Sequence, residues 1–377
     1  MNSNQLNKTL GILGGGQLGK MLLQKAADFN IETHVIDPDI SAPCRSLCAK
    51  FVNASFKDFN SVMNFGKNCD IITVEIEHVN TDALAELEKW GKKVFPQPHI
   101  LKMVQDKGLQ KIFYRENNIP TADFYLVENK AEINTKQFPF IQKTRTAGYD
   151  GKGVRKISSI DELADAFDEP CVIEDYIDFE KEIAIIVARN ESGEVKCYPT
   201  VEMYFNSEAN LVELLFSPAD VTSVIEANAI AIATKLINKL ELVGTLAVEL
   251  FITRGGEILV NEVAPRPHNS GHHTIEGNLT SQYEQHLRAI FNLPLGSTEI
   301  VQPAVMVNLL GEKDFSGEAR YEGLEQVLQI EGAYIHLYGK KITKPFRKMG
   351  HVTVVDKDLA KAIKKAKKVM KVLKVVA

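Results

Sequence analysis

Between residues 9 and 95 the chain alternates short apolar runs with longer stretches whose apolar residues recur every three or four positions. The runs TLGIL, ETHVID, DIITVE and KKVFP are short, β-rich and bounded by polar turns, so each predicts a strand, and the stretches between them predict amphipathic helices. This alternation is the rhythm of a parallel sheet covered by helices. PQPHI (96–100) is a turn cluster that opens a helix and predicts a boundary. From about 120 the rhythm changes: FPFIQKT, CVIEDYI, EIAIIVAR and EVKCYPTVEMYF follow one another with few helices, which predicts α+β structure with antiparallel pairing. A helix is expected over 218–240, and TLAVELFITRGGEILVNEVA reads as two strands joined at RGGE. After Pro294 a mostly β segment runs to about 356. The tail then places Leu359, Ile363, Ala366, Met370 and Leu373 on one helical face with lysines opposite, as in a docked terminal helix.

Composition narrows the picture slightly. A chain of 377 residues predicts two or three domains, and a net charge of −5 argues against a nucleic-acid partner. No run approaches 18 apolar residues and the start lacks a basic region followed by an apolar one, so neither a membrane span nor a signal peptide is expected. The cysteines (Cys44, Cys48, Cys69, Cys171, Cys197) are odd in number and lack C-x-x-C spacing, which predicts free thiols in a cytoplasmic protein.

Four segments carry candidate chemistry. Gly14, Gly16 and Gly19 form G-x-G-x-x-G after the first strand, and Asp37 ends the next one, which alone would suggest a dinucleotide site. Downstream, IQKTRTAGYDGKGV closes a strand with Lys143 and continues into a loop punctuated by Gly148, Gly151 and Gly153, a composition that lets backbone and lysine approach a polyphosphate. In the 244–264 hairpin Glu249 and Glu262 can lie side by side, with Asn261 adjacent, an oxygen donor set suited to magnesium. Arg266, His268, Asn269, Ser270, His272 and His273 crowd the loop that follows, where His268, His272 and His273 offer a zinc alternative. Finally, EDYIDFEKE places Glu174 at the end of one strand and Glu182 at the start of the next, a strand–linker–strand able to face an adenine edge and ribose hydroxyls.

In this order the segments resemble the ATP-grasp superfamily over nearly the whole chain. The resemblance implies a Rossmann-like pre-ATP-grasp domain (1–105), an ATP-grasp domain (106–295, with a lid subdomain at about 121–185) and a small, mostly β C-terminal domain with a terminal helix (296–377). It implies ATP binding by Lys107, Lys143, Gly148, Tyr149, Asp150, Gly151, Lys152, Gly153, Glu174, Asp175, Tyr176, Ile177, Glu182, Asn261 and Glu262, and Mg²⁺ (or Mn²⁺) on Glu249 and Glu262. Within the superfamily, GGGQLGKML, TVEIEHV, TAGYDGKG, NEVAPRPHNSGHHT and FRKMGHVT resemble the 5-(carboxyamino)imidazole ribonucleotide synthases of purine biosynthesis. The related formate-dependent glycinamide ribonucleotide transformylases share PRPH but continue with Asp-Thr-Gly where this chain has Asn269, Ser270 and Gly271. Lys107 stands where arginine is common, which keeps the charge but loses a bidentate contact.

What the resemblance implies is ATP- and bicarbonate-dependent carboxylation of an aminoimidazole ribonucleotide through carboxyphosphate. Arg266, His268, Asp150 and Lys348 would be catalytic; Gly16, Gln17, Leu18, Glu75, Tyr149, Asn269, Ser270, Lys340, Arg347 and Lys348 would bind the ribonucleotide. The amides of the first glycine turn, jointly with Lys340, Arg347 and Lys348 of the last domain, would take its phosphate in place of a dinucleotide's. Residues 144–153 would close over the labile intermediate. Partners are then small molecules, with neither nucleic acid nor membrane, a homodimer, and hand-over of product to a mutase.

Overall fold

The computed structural model describes residues 5–134, 138–146, 153–206 and 211–377. Gly148, Tyr149, Asp150, Gly151 and Lys152 lie outside the described residues. The first unit is a five-stranded parallel sheet in which Leu10–Leu13 is central, flanked on one side by Thr33–Asp37 and Lys50–Asn53 and on the other by Ile71–Val74 and Lys93–Val94. Leu10–Leu13, Thr33–Asp37 and Ile71–Val74 are buried throughout, as their unbroken apolar runs predict. Lys50–Asn53 was not foreseen, because an edge strand with exposed ends carries no such run. The strand order reverses beside Leu10–Leu13, so a crevice opens beyond the carboxyl ends of Leu10–Leu13 and Ile71–Val74.

Phe124–Val127, Phe140–Thr144, Val154–Ile157 and Cys171–Asp175 form a separate four-stranded antiparallel sheet. The remaining major strands build a nine-stranded sheet centred on Phe179–Arg189, which pairs with Gly244–Thr253 along nearly its whole length. EVKCYPTVEMYF divides into Val195–Cys197 and Val201–Asn206, both pairing with Phe179–Arg189. Leu211–Ser217 pairs with Ala304–Leu310, which pairs with Lys348–Val355, so the sheet runs without a break across the boundary expected near residue 296. Helix Ser223–Lys239, capped by Thr222, buries Ala229, Ala233, Leu236 and Ile237 against this sheet. The terminal helix, Leu359–Val372, docks through Ala362, Ala366 and Val369, with Leu359, Ile363 and Met370 at the margins of that face. Among the described residues no helix is long and apolar enough to cross a membrane.

One buried histidine fastens the first sheet to the large one. His286 Nε2 lies 2.9 Å from Thr73 Oγ1, while its Nδ1 accepts from the Thr245 N–H at 3.2 Å; all three residues are fully buried. Burial pushes the imidazole from its ordinary value of 6.5 down to about 3, so the folded protein keeps it neutral where the unfolded chain would take a proton. Its contribution is complete above pH 6.5 and is lost as the pH falls toward 3. Between pH 7 and 5.5 this one group should remove about 1 kcal/mol of stability. Urea unfolding at the two pH values tests this: His286→Gln should flatten the pH dependence by that amount, whereas an unchanged slope would show that His286 is not held neutral.

Candidate active site

The glycine turn is shaped by a side chain from another strand. Gly14 has φ +97°, and a Cβ there would lie 2.5 Å from Glu75 Cγ; one on Gly16 would lie 2.4 Å from Glu75 Oε1. The Gly16 and Gly19 amides donate to the two Glu75 oxygens at 2.8 and 2.9 Å, and the Gly15 amide donates to Asp37 Oδ2 at 2.7 Å. The start of helix Gln17–Asp28 therefore already holds a carboxylate. The amides expected to take the ribonucleotide phosphate are engaged here by Glu75 and Asp37. Asp37 also accepts from the Asp39 amide, so neither of its oxygens is turned outward toward a dinucleotide ribose. Burial raises the affinity of both carboxylates for protons. Gln17 is partly exposed at the helix start, and Leu18 packs into the core.

Between the four-stranded sheet and the large sheet lies a cavity of about 300 Å³. One part of its lining is apolar: Ile141, Val154, Ile177, Phe205, Leu211, and Phe251, whose ring stacks on Phe179 at 4.5 Å. Asp175 and Tyr176 border it, with Lys156 Nζ 3.8 Å from the centre of the Tyr176 ring. Gly153, at φ +76°, accepts from the Thr144 amide through its carbonyl at the edge of the described loop.

The polar lining is a charge cluster. Glu249 and Glu262 stand directly opposite in the hairpin, with a register break just after Glu249. Lys107, at the first position of a helix capped by Asp106, places Nζ 2.7 Å from Glu262 Oε2. Lys107 holds the Glu262 carboxyl down to about 2, and Glu262 in turn raises Lys107. Burial, together with the Glu262 charge, pushes Glu182 up to about 8 and Glu249 well above the carboxylate range. Lys143 donates to Asn261 Oδ1 at 2.9 Å and lies 3.0 Å from Glu174 Oε2. Two facing carboxylates beside an amide oxygen suit a hard divalent cation. Among the described residues no group of three or more His, Cys, Asp or Glu side chains could hold a metal alone, so a bound ion would draw its other ligands from substrate or water.

Glu174, expected at the adenosine, borders the cavity beside Asp175 and Tyr176. Its carboxylate, 4% exposed, is turned between Lys143 and Lys111. Sequence reasoning missed Lys111, although its position one helical turn after Lys107 in DKGLQK puts both on one helix face. It also missed Glu77, whose oxygens lie 2.8 and 2.9 Å from Arg266 Nη2.

The loop after the hairpin divides its side chains. His268 borders the cavity with Nδ1 2.9 Å from Ser270 Oγ and Nε2 3.9 Å from Glu249 Oε1. Asn269 exchanges amide hydrogen bonds with Asn308, both at 2.9 Å. Ser270 is buried behind His268 and is not part of the cavity lining. The zinc alternative fails on geometry: His272 turns to the Tyr283 hydroxyl and stacks on His351, and His273 turns to the Ser270 carbonyl. Lys348 borders the cavity, and its carbonyl accepts from Lys340 Nζ at 2.8 Å. Arg347 donates to the Ile342 carbonyl and acts electrostatically on Asp39 of the first unit. Lys20, on the first helix, donates to the Leu337 carbonyl, so the first and last units meet beside this basic hairpin.

Comparison with known proteins places these features in one family. Family models match in chain order: a ribonucleotide synthetase preATP-grasp domain over 7–105, an ATP-grasp domain over 112–283 and a phosphoribosylaminoimidazole carboxylase C-terminal domain over 304–365. The chloroplastic phosphoribosylaminoimidazole carboxylase of Vigna aconitifolia is 40% identical over 93% of this chain, which spans 64% of that longer protein. The N5-carboxyaminoimidazole ribonucleotide synthase of Bacillus subtilis is 36% identical over 91% of this chain and 90% of its own length. The crystal structure of the Thermotoga maritima N5-carboxyaminoimidazole ribonucleotide synthetase superposes with a TM-score of 0.92 at 44% identity, over 98% of this chain and 99% of that one. The Aspergillus clavatus synthase in complex with ADP and 5-aminoimidazole ribonucleotide superposes with a TM-score of 0.89 at 34% identity, over 97% and 98% of the two chains. With a pre-ATP-grasp sheet, a lysine-bearing ATP-grasp cavity and the matching C-terminal unit joined in this order, the chain belongs to the N5-carboxyaminoimidazole ribonucleotide synthase family of ATP-grasp proteins.

Proposed function

We propose that this protein is an ATP-dependent carbon–nitrogen ligase that carboxylates the amine of 5-aminoimidazole ribonucleotide with bicarbonate, releasing ADP and phosphate, in purine biosynthesis. The observation that carries the reading is the Glu249–Glu262 pair set against Lys107 and Lys143 at the polar side of an apolar-walled cavity. The apolar wall and the Asp175–Ile177 edge would take the adenosine, and the lysines the phosphates. Glu249, Glu262 and Asn261 would hold Mg²⁺, which when bound supplies positive charge to the phosphate oxygens.

In the first step a bicarbonate oxygen bonds to the γ-phosphorus and the bond to the ADP oxygen breaks, giving carboxyphosphate. Positioning and charge neutralisation by Lys107 and Lys143 supply most of this catalysis. Arg266, held by Glu77, and His268, held by Ser270, would orient bicarbonate and then carboxyphosphate. In the second step the amine nitrogen bonds to the carboxyl carbon, the carbon–oxygen bond to phosphate breaks and the amine gives up a proton. Glu75, Gln17 and Asn269 would face the ribonucleotide, with Lys340, Arg347 and Lys348 on its phosphate. Engagement of the Gly16 and Gly19 amides by Glu75 supports giving the phosphate to this basic hairpin instead of the glycine turn. The same reading has the chain act in the cytoplasm as a homodimer and pass its product, an unstable carbamate, to a mutase.

The reaction is tested by phosphate release from ATP, which should require both bicarbonate and 5-aminoimidazole ribonucleotide for full rate. Stimulation by a different amine would overturn the substrate. Glu262→Gln should leave the fold intact and lower turnover by about 100-fold or more at saturating magnesium, since it removes a metal-site charge and the partner of Lys107. Near-normal turnover would remove Glu262 from the metal site. Arg347→Ala should raise the Michaelis constant for the ribonucleotide by about 30-fold or more, with that for ATP within about twofold. Equal movement of both constants would place the phosphate elsewhere.

A further inference from the structure

Lys111 does not border the cavity, yet it is a buried lysine, 3% exposed, joined to the cavity's charge cluster. Its Nζ lies 2.6 Å from Thr121 Oγ1 and 3.3 Å from Glu174 Oε1. The Thr121 hydroxyl donates to the Val260 carbonyl at 2.7 Å, so toward Lys111 it can only accept, and the amine must donate. Val260 is the neighbour of Asn261, and Asn261 accepts from Lys143. A closed polar ring thus runs from Lys111 through Glu174, Lys143 and the 260–261 strand to Thr121 and back.

The charges in this ring are unequal. Glu174 offers one negative charge, and Lys111 and Lys143 offer two positive ones. Because Lys111 approaches Oε1 and Lys143 approaches Oε2, Lys111 compensates the carboxylate from behind, and the excess positive charge is carried by Lys143, which lines the cavity. Burial of both Lys111 and Glu174 keeps water from taking over this compensation.

We propose that Lys111 is a positioning residue of the nucleotide site: its charge offsets that of Glu174 so that Lys143 retains its charge for the phosphates. The inference rests on the nucleotide reading of the cavity given above. Without Lys111, Glu174 would be matched by Lys143 alone, and the pair would offer a phosphate no net charge. The side chain touches no reacting atom in this account; it acts through Glu174 and Lys143.

The test is ADP binding to the full chain by calorimetry, together with the Michaelis constants for ATP and ribonucleotide. Lys111→Met should weaken ADP binding by about tenfold or more and raise the constant for ATP in parallel, with that for the ribonucleotide within about twofold. Lys111→Arg should bind ADP within about threefold of the parent. The decisive variant is Lys111→Met/Glu174→Gln, in which the unmatched carboxylate is removed as well: it should bind ADP more tightly than Lys111→Met, recovering most of the loss. A merely structural lysine gives no such recovery. If Lys111→Met does not fold, near-parental ADP affinity of the double variant supports the proposal, and a double variant that is folded but weak overturns it. ADP binding by Lys111→Met equal to that of the parent overturns it too. Failure of the parent itself to bind ADP would instead overturn the nucleotide reading, and this inference with it.

Discussion

Three carboxylates face one small cavity, and the molecule has to bear their mutual repulsion. Glu182, Glu249 and Glu262 all line this cavity, and Lys107 forms a direct ion pair with Glu262. Burying like charges together is unfavourable unless cations answer them or one group takes a proton. In the described structure the result is uneven: Lys107 keeps Glu262 ionised, while Glu249 and Glu182 are driven toward their protonated forms. In the proposed function a cation would answer the carboxylates and the phosphates would answer the lysines, so that both would be bound together at reduced cost.

The fold serves this arrangement. The long pairing of Phe179–Arg189 with Gly244–Thr253 and then Ile258–Ala264 fixes Glu182, Glu249 and Glu262 on rigid strands. The smaller sheet brings Lys143 and Glu174 from the other side, and Asp106, paired with Arg145, caps the helix that presents Lys107. Continuity of the large sheet into the C-terminal unit carries Lys348 to the same cavity. The loop after Ile71–Val74 contributes Glu77 to Arg266. Elements from several parts of the chain therefore meet in this region, and the Lys107–Glu262 and Arg266–Glu77 pairs tie together segments distant in sequence.

Much of this was legible in the sequence. Short apolar runs such as those in TLGIL and EIAIIVAR marked strands, because burial on both faces leaves few polar positions. The hairpin placed Glu249 opposite Glu262 through local geometry alone. What stayed hidden depended on long-range contacts. Nothing local says that Glu75 and Asp37 turn back onto the glycine turn, which changes the meaning of a pattern otherwise shared with dinucleotide sites. Nor does EDYI reveal that Glu174 faces two lysines, one of them from a helix more than 60 residues earlier. The zinc alternative in the dense histidine loop could be set aside only in the folded chain, for the same reason: His272 and His273 are drawn to Tyr283 and to the Ser270 carbonyl, away from His268. Motif residues announced the chemistry, while their partners could be found only in the folded chain.

In the proposed reaction ATP is cleaved by bicarbonate, so that one oxygen passes from bicarbonate to phosphate. Turnover in ¹⁸O-labelled bicarbonate, with the phosphate analysed by ³¹P NMR, tests it most directly. Each phosphate released should carry one ¹⁸O atom, in step with carboxylation of 5-aminoimidazole ribonucleotide. Phosphate free of label, formed while the carboxylated product accumulates, would contradict it.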